Sequence, residues 1–236
     1  MKIDVNFDHR LDSNGKDPDS HSPFLKKQHQ LLWSKPLPNG ELFNLEMSPG
    51  TYLRHSSNLG DFQLSSDCIS HSLRNQKRMK SIIDQIPEFE LDEFQTIGST
   101  IGARILFPGN RINGQATINA ARGFSPKIND RFDLTLECIR LHFQGLANPL
   151  DSALNRYSDF FRLFQSFDGY VRFFLLQDLV TENYSGVKFY LPHDDSFEDS
   201  PRPDSVESYL QYKANTTIFV KARNARISEW AAKNLS

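Results

Sequence analysis

Only two cysteines, Cys68 and Cys138, occur among the 236 residues, and they stand far apart. That excludes a disulfide framework and a four-ligand structural zinc site, and implies two reduced, buried thiols. An excess of charge of one sign is equally absent: 27 basic against 29 acidic residues give a formal net charge of -2. No overall field therefore draws the chain to nucleic acid or an anionic membrane, and nucleic acid is not expected as a partner. No apolar stretch approaches the roughly 20 residues needed to span a bilayer. MKIDVNFDHRLDS at the amino terminus has no apolar run of signal-peptide length, so a cytoplasmic protein without a membrane partner is expected. Walker and dinucleotide glycine patterns are missing, as is a Gly-x-Ser-x-Gly elbow, and the sequence assigns no cofactor.

Hydrophobic residues, by contrast, make up 38% of the chain and charged residues 24%, outside the regime of disordered chains. A chain of this size buries roughly 70–75% of its unfolded surface. Weak alternation through Ile3, Val5 and Phe7 suits a short strand. Ser22-Pro23 starts a helix that stops before Lys35-Pro36, with Phe24, Leu25, Leu31, Leu32 and Trp33 as its apolar side. Irregular strands are expected near 42–46, 51–55 and 61–65, and helices over 73–85 and 90–97. Runs 101–107 and 115–120, flanking Asn113-Gly114, read as a hairpin.

From Asp130 the period changes to helical. Phe132, Leu136, Ile139 and Phe143 form one stripe, which Leu134, Cys138 and Leu141 widen. Asp151 is placed to cap a second helix. Eight aromatics follow between Tyr157 and Phe174, each worth about 2–3 kcal/mol when buried, so this run should dominate the core. Asp168-Gly169 is expected to divide it. A short strand over 187–191, a loop rich in Pro and Asp from 192 to 204, and a final helix capped at Asp204 with Glu207 and running to about 231 complete the chain. The expected fold is α+β and helix-rich. A small irregular antiparallel sheet in the amino-terminal half packs on a carboxy-terminal helical layer, in one domain of two parts, 1–127 and 128–236.

Three polar constellations compete as sites. The loop carrying Asp8, His9, Asp12, Asp17, Asp19 and His21, like His193-Asp194-Asp195, holds metal-ligand residue types but matches neither the EF-hand nor a zinc spacing, and a solvated loop is the favoured reading. His55 with Ser56 and Ser57, near Ser65, Ser66 and Asp67, contains the parts for general base catalysis, although turn and strand-end roles for them weigh more.

The preferred stretch runs from Gly109 to Arg131. Its glycines permit close backbone approach, and Arg111, Asn113, Arg122 and Arg131 suit a small anionic ligand or nucleotide. Asp130 and His55 are the candidate catalytic acid or base. The bland reading is a turn plus structural pairs made by Arg122 and Asp130. Basic clusters at Arg74, Lys77, Arg78, Lys80 and at Lys221, Arg223, Arg226 lack interleaved aromatics and read as solvated helix faces.

Through LLWSKPLPNG, GDFQLSSD, TINAARGF, DRFDLTLECIRLHF and FFLLQDLVTENYS the chain resembles an uncharacterised bacterial family known only as a domain of unknown function, nearly end to end. The resemblance implies a bacterial or phage-borne cytoplasmic protein and brings no activity. Ala120 stands where a TINGARG-like form has glycine. Function is thus expected to be a phosphate-ester or small-ligand enzyme. The alternative is a non-catalytic interaction module or subunit with a protein partner, and a toxin or phage-defence setting suits either.

Overall fold

The computed structural model describes residues 2–47, 52–70, 73–194 and 196–235, and for residues 73 and 74 the backbone alone. Ser22 caps the helix Pro23–Trp33 (α2), its hydroxyl accepting from the Leu25 N–H with Pro23 at the first position, as the sequence indicates. A single helical turn, Pro18–His21 (α1), precedes it. Strand β1 (Leu53–Ser57) turns at Asn58-Leu59 into β2 (Gly60–Cys68), where Gly60 has φ +145°. Helices Leu73–Arg78 (α3), Lys80–Ile83 (α4) and Glu88–Ile97 (α5) lead to β3 (Arg104–Pro108). The sheet is antiparallel in the order β1-β2-β3, with Leu53 opposite Leu64 and Leu64 opposite Pro108.

Side-chain alternation along β2 gives this sheet two different faces. Phe62, Leu64, Ser66 and Cys68 share one face with Arg104 and Leu106, while Ser65 and Asp67 lie on the other with Ile105 and Phe107. The first face meets α1 and α2 through Asp19 and His29. The second meets the helix Ile118–Phe124 (α6) through Asn119 and Arg122.

The helical half continues with Phe132–Phe143 (α7), Asp151–Arg156 (α8), Ser158–Arg162 (α9), Phe167–Phe173 (α10) and Val206–Asn234 (α11). All eight aromatics between Tyr157 and Phe174 are buried. Phe164 is their hub, with the rings of Phe43, Phe160, Tyr170, Phe173 and Phe174 at 5.1–6.2 Å. Over α11, Tyr209, Tyr212, Thr216, Phe219, Val220, Arg223 and Ile227 recur at helical spacing and are buried. Asn224 on the same side accepts from the Gly102 N–H at 2.8 Å and donates to Thr100. A Cβ at position 102 would lie 2.4 Å from Asn224 Oδ1, which is why glycine stands there.

The α+β, helix-rich architecture agrees with the sequence, and several elements differ in detail. Residues 2–7 form no strand: the Asp4 carbonyl is taken by the Gln28 side chain instead of a neighbouring strand. Residues 42–46 make only isolated bridges, Leu42 with Pro36 and Glu46 with Arg54, and β1 begins at Leu53, Thr51 lying outside the described residues. The hairpin over 101–120 is absent. Asn113 and Gly114 do make the tight left-handed turn, closed by Gln115 N–H to the Ile112 carbonyl. Thr117 then caps α6, so the second run is helical.

Leu150 occupies the cap of α8, with Asp151 its first helical residue. The aromatic run divides at Gln165, φ +65°, with Ser166 capping α10, rather than at Asp168-Gly169. Residues 187–191 carry one bridge, Val187 with Val180. Ser205, in a reciprocal box with Ser208, caps α11 in place of Asp204 with Glu207. Since Phe164 sits where five rings meet, Phe164→Ala should cost about 3–5 kcal/mol in denaturant unfolding, whereas Phe124→Ala at an exposed position should stay within about 0.5 kcal/mol.

Candidate functional site

Arg122 projects from the middle of α6 and is fully buried. Its Nε–H donates to Thr135 Oγ1 at 3.1 Å, Nη1 to Asp67 and the Cys68 carbonyl, and Nη2 to the Asp130 carbonyl. A buried guanidinium with so many donors engaged has little capacity left for a ligand. Burial lifts the Asp67 carboxyl to about 6, against the opposing pull of Arg122. Arg131 is likewise completely enclosed. It forms a bidentate pair with Asp133 and also donates to the Leu191 and Pro201 carbonyls.

Asp130 lies between these arginines, 8% exposed, and accepts from Asn75 Nδ2 at 3.1 Å. His55 is on β1, donates its Nδ1–H to the Asn44 carbonyl at 3.1 Å, and packs against the rings of Phe43 and Phe62. Burial lowers its pKa. Arg111 and Asn113 are exposed on the turn before α6. The structure therefore brings Arg122 and Asp130 together directly, sets Arg131 next in the chain with its side chain turned to Asp133, and leaves His55 apart.

Open surface begins earlier in the chain, at Pro126 and Lys127. Asn129 and Asp130 both have positive φ, 47° and 64°, an uncommon conformation for two successive residues other than glycine. They are held by Asn75, which donates to the Asn129 carbonyl, and by Arg78, whose Nη1 donates to Asn129 Oδ1 at 3.1 Å. Beside this turn lies a groove of about 700 Å³ between residues 124–129, which link α6 to α7, and the 197–202 loop. Arg78, Lys127 and Arg202 line it, with Glu198 and Asp199 as the acidic members. Lys127 and Glu198 pair at 2.6 Å near the surface. A smaller groove of about 470 Å³ beside His142 and Phe161 has one cation, Arg162, already paired with Asp159.

The chemistry-bearing residues of the amino-terminal loop and of β2 meet under the first sheet face. The Trp33 indole N–H donates to His29 Nδ1, which leaves the proton on Nε2 to be donated to Ser66 Oγ. Ser66 donates to Asp19, and Arg104 donates to the same carboxylate at 2.7 Å. Burial holds His29 far below its ordinary pKa, so this chain of bonds contains a neutral imidazole. It is an internal network that ties α1 and α2 to the sheet. Among the described residues no three His, Cys, Asp or Glu side chains come together as metal ligands; Asp195 lies outside them.

Nor do the basic clusters form a common surface. Arg223 is buried, Arg226 pairs with Asp178 and Lys221 with Glu93, while the Arg74 side chain lies outside the described residues.

A family model for proteins of unknown function, DUF6994, matches residues 3–227. The chain belongs to that family. The family model thus covers the chain nearly end to end, in agreement with the resemblance read from its segments. No curated protein and no solved structure matches it. Among the described residues no helix is long and apolar enough to cross a membrane.

The groove cations are only partly legible in the sequence. Arg78 belongs to a basic cluster, but Lys127 lies alone after Pro126 and Arg202 alone between Pro201 and Pro203. A cation framed by prolines in a long loop was the available signal. Breaking the buried pair at Arg122 by Asp67→Ala or Arg122→Ala should each lower stability by about 3–5 kcal/mol. Unfolding of the double variant should cost clearly less than the sum, because each single change leaves its partner uncompensated.

Proposed function

We propose that this chain binds a small phosphorylated or carboxylated ligand in the groove beside Asn129. The observation that carries the reading is the set of three cations, Arg78, Lys127 and Arg202, on one open groove of about 700 Å³, a volume in the range of small-molecule sites. Arginine offers a planar fork to phosphate or carboxylate, and a lysine adds a mobile point charge. The turn at Asn129 and Asp130 fixes the floor, since Arg122 and Asn75 hold it from beneath. The sequence reading places the ligand between the expected hairpin and the start of the 130–144 helix, on Arg111, Asn113, Arg122 and Arg131, and none of these four lines the groove. Arg122 and Arg131 serve as its support, and the ligand contacts pass to side chains with free surface. Asp130 is engaged by Asn75 and His55 contacts none of the groove residues named here, so the reading is one of binding and assigns no chemical step.

Thermal unfolding with inorganic phosphate, sugar phosphates and nucleotides tests this. A ligand at 100 times its Kd should stabilise the protein by about 2.7 kcal/mol. The double variant Arg78→Ala, Arg202→Ala should melt within a few degrees of the parent without ligand and lose most of that stabilisation. Equal stabilisation of parent and variant, or none of the parent by any of these anions, contradicts the proposal.

A further inference from the structure

Lys35, two residues beyond the end of α2, is 8% exposed, an uncommon state for a lysine. Its Nζ lies 4.8 Å from the centroid of each of three aromatic rings, Trp33 of α2, Phe173 of α10 and Trp230 of α11. Among the described residues no carboxylate pairs with it within ion-pair distance. The charged group acting on it is Arg223, itself a buried cation. Arg223 shares the Trp33 ring with Lys35, at 5.8 Å, and spends its donors on the carbonyls of Phe174, Gly102 and Arg104.

Two cations on one indole, neither paired with a carboxylate among the described residues, form an unusual cluster for a fold that pairs Arg104, Arg122 and Arg131 with carboxylates. The ring faces favour the ammonium form, while desolvation and the like charge of Arg223 oppose it. Opposing influences of this kind make an amine that exchanges its proton near neutrality instead of remaining a fixed charge.

We propose that Lys35 is a reactive amine that condenses with small aldehydes. The neutral Nζ adds to the carbonyl carbon, the resulting carbinolamine loses water, and an imine remains; no oxidant or reductant takes part. Apolar ring faces around Nζ suit a short aldehyde with a hydrocarbon body, and the 8% exposure of the residue disfavours bulky ones. Burial and Arg223 bring the Lys35 pKa down to about 7, in keeping with this chemistry. At pH 7 such an amine is about half neutral, whereas an ordinary lysine near 10.4 is neutral in well under 1% of molecules.

Incubating the intact protein with propionaldehyde and cyanoborohydride converts any imine to a stable secondary amine, which peptide mass mapping locates. Lys35 should be alkylated at least about tenfold faster at pH 7 than the exposed Lys16 and Lys77, with the advantage shrinking by pH 10 as the exposed amines lose their protons. Selectivity should vanish in denaturant. Alkylation of Lys35 no faster than that of Lys16 and Lys77 would overturn the inference, and would make the aromatic cage a clamp for a permanent ammonium.

Discussion

A guanidinium removed from water must find acceptors for its N–H groups, and that requirement organises this fold. Arg122 is the clearest case. From one side chain it reaches β2 through Asp67 and Cys68, the turn before α7 through the Asp130 carbonyl, and α7 itself through Thr135. Arg131 does the same for the 191–201 segment, and Arg223 for the junction of β3, α10 and the Ile101–Ala103 turn. Each arginine joins stretches distant in sequence, so each is a specificity device as much as a source of stability.

Support and surface are separated as a result except at Arg78, which holds Asn129 and also lines the groove. The Asn129-Asp130 turn adopts its left-handed conformation because Arg122, Asn75 and Arg78 hold it from three directions. A turn constrained in that way can present a groove wall without much reorganisation. The cations lining that wall lie on α3, on the approach to α7 and in the proline-framed loop. Elements far apart in the chain thus supply a common electrostatic surface.

Local chemistry made much of the scaffold readable in advance. Ser22-Pro23 gave the start of α2, the stripe from Phe132 to Phe143 gave α7, and the density of rings between Tyr157 and Phe174 located the core. The hairpin expected over 101–120 failed for an equally local reason. The Asn-Gly turn forms, but Thr117 offers its hydroxyl to the Ala120 N–H and begins a helix, a cap that β propensity in the preceding residues obscured. What no local pattern contains is pairing across long separations. Asp67 with Arg122 and Asp19 with Arg104 are joined only by the folded chain. For that reason the sequence reading gives Arg122 and Arg131 a ligand, whereas the fold spends their donors on Asp67, Asp133 and backbone carbonyls.

The buried arginines hold the scaffold, and the groove arginines are the ones proposed to meet a ligand. Side-chain 15N NMR of arginine, with phosphate titrated at neutral pH, tests both halves together. Nε–H signals of Arg122, Arg131 and Arg223, each hydrogen-bonded at 3.1 or 3.2 Å, should exchange slowly with water and stay in place, while those of Arg78 and Arg202 shift. Rapid exchange at the three buried arginines, or phosphate-induced shifts there and not at Arg78 and Arg202, would contradict it.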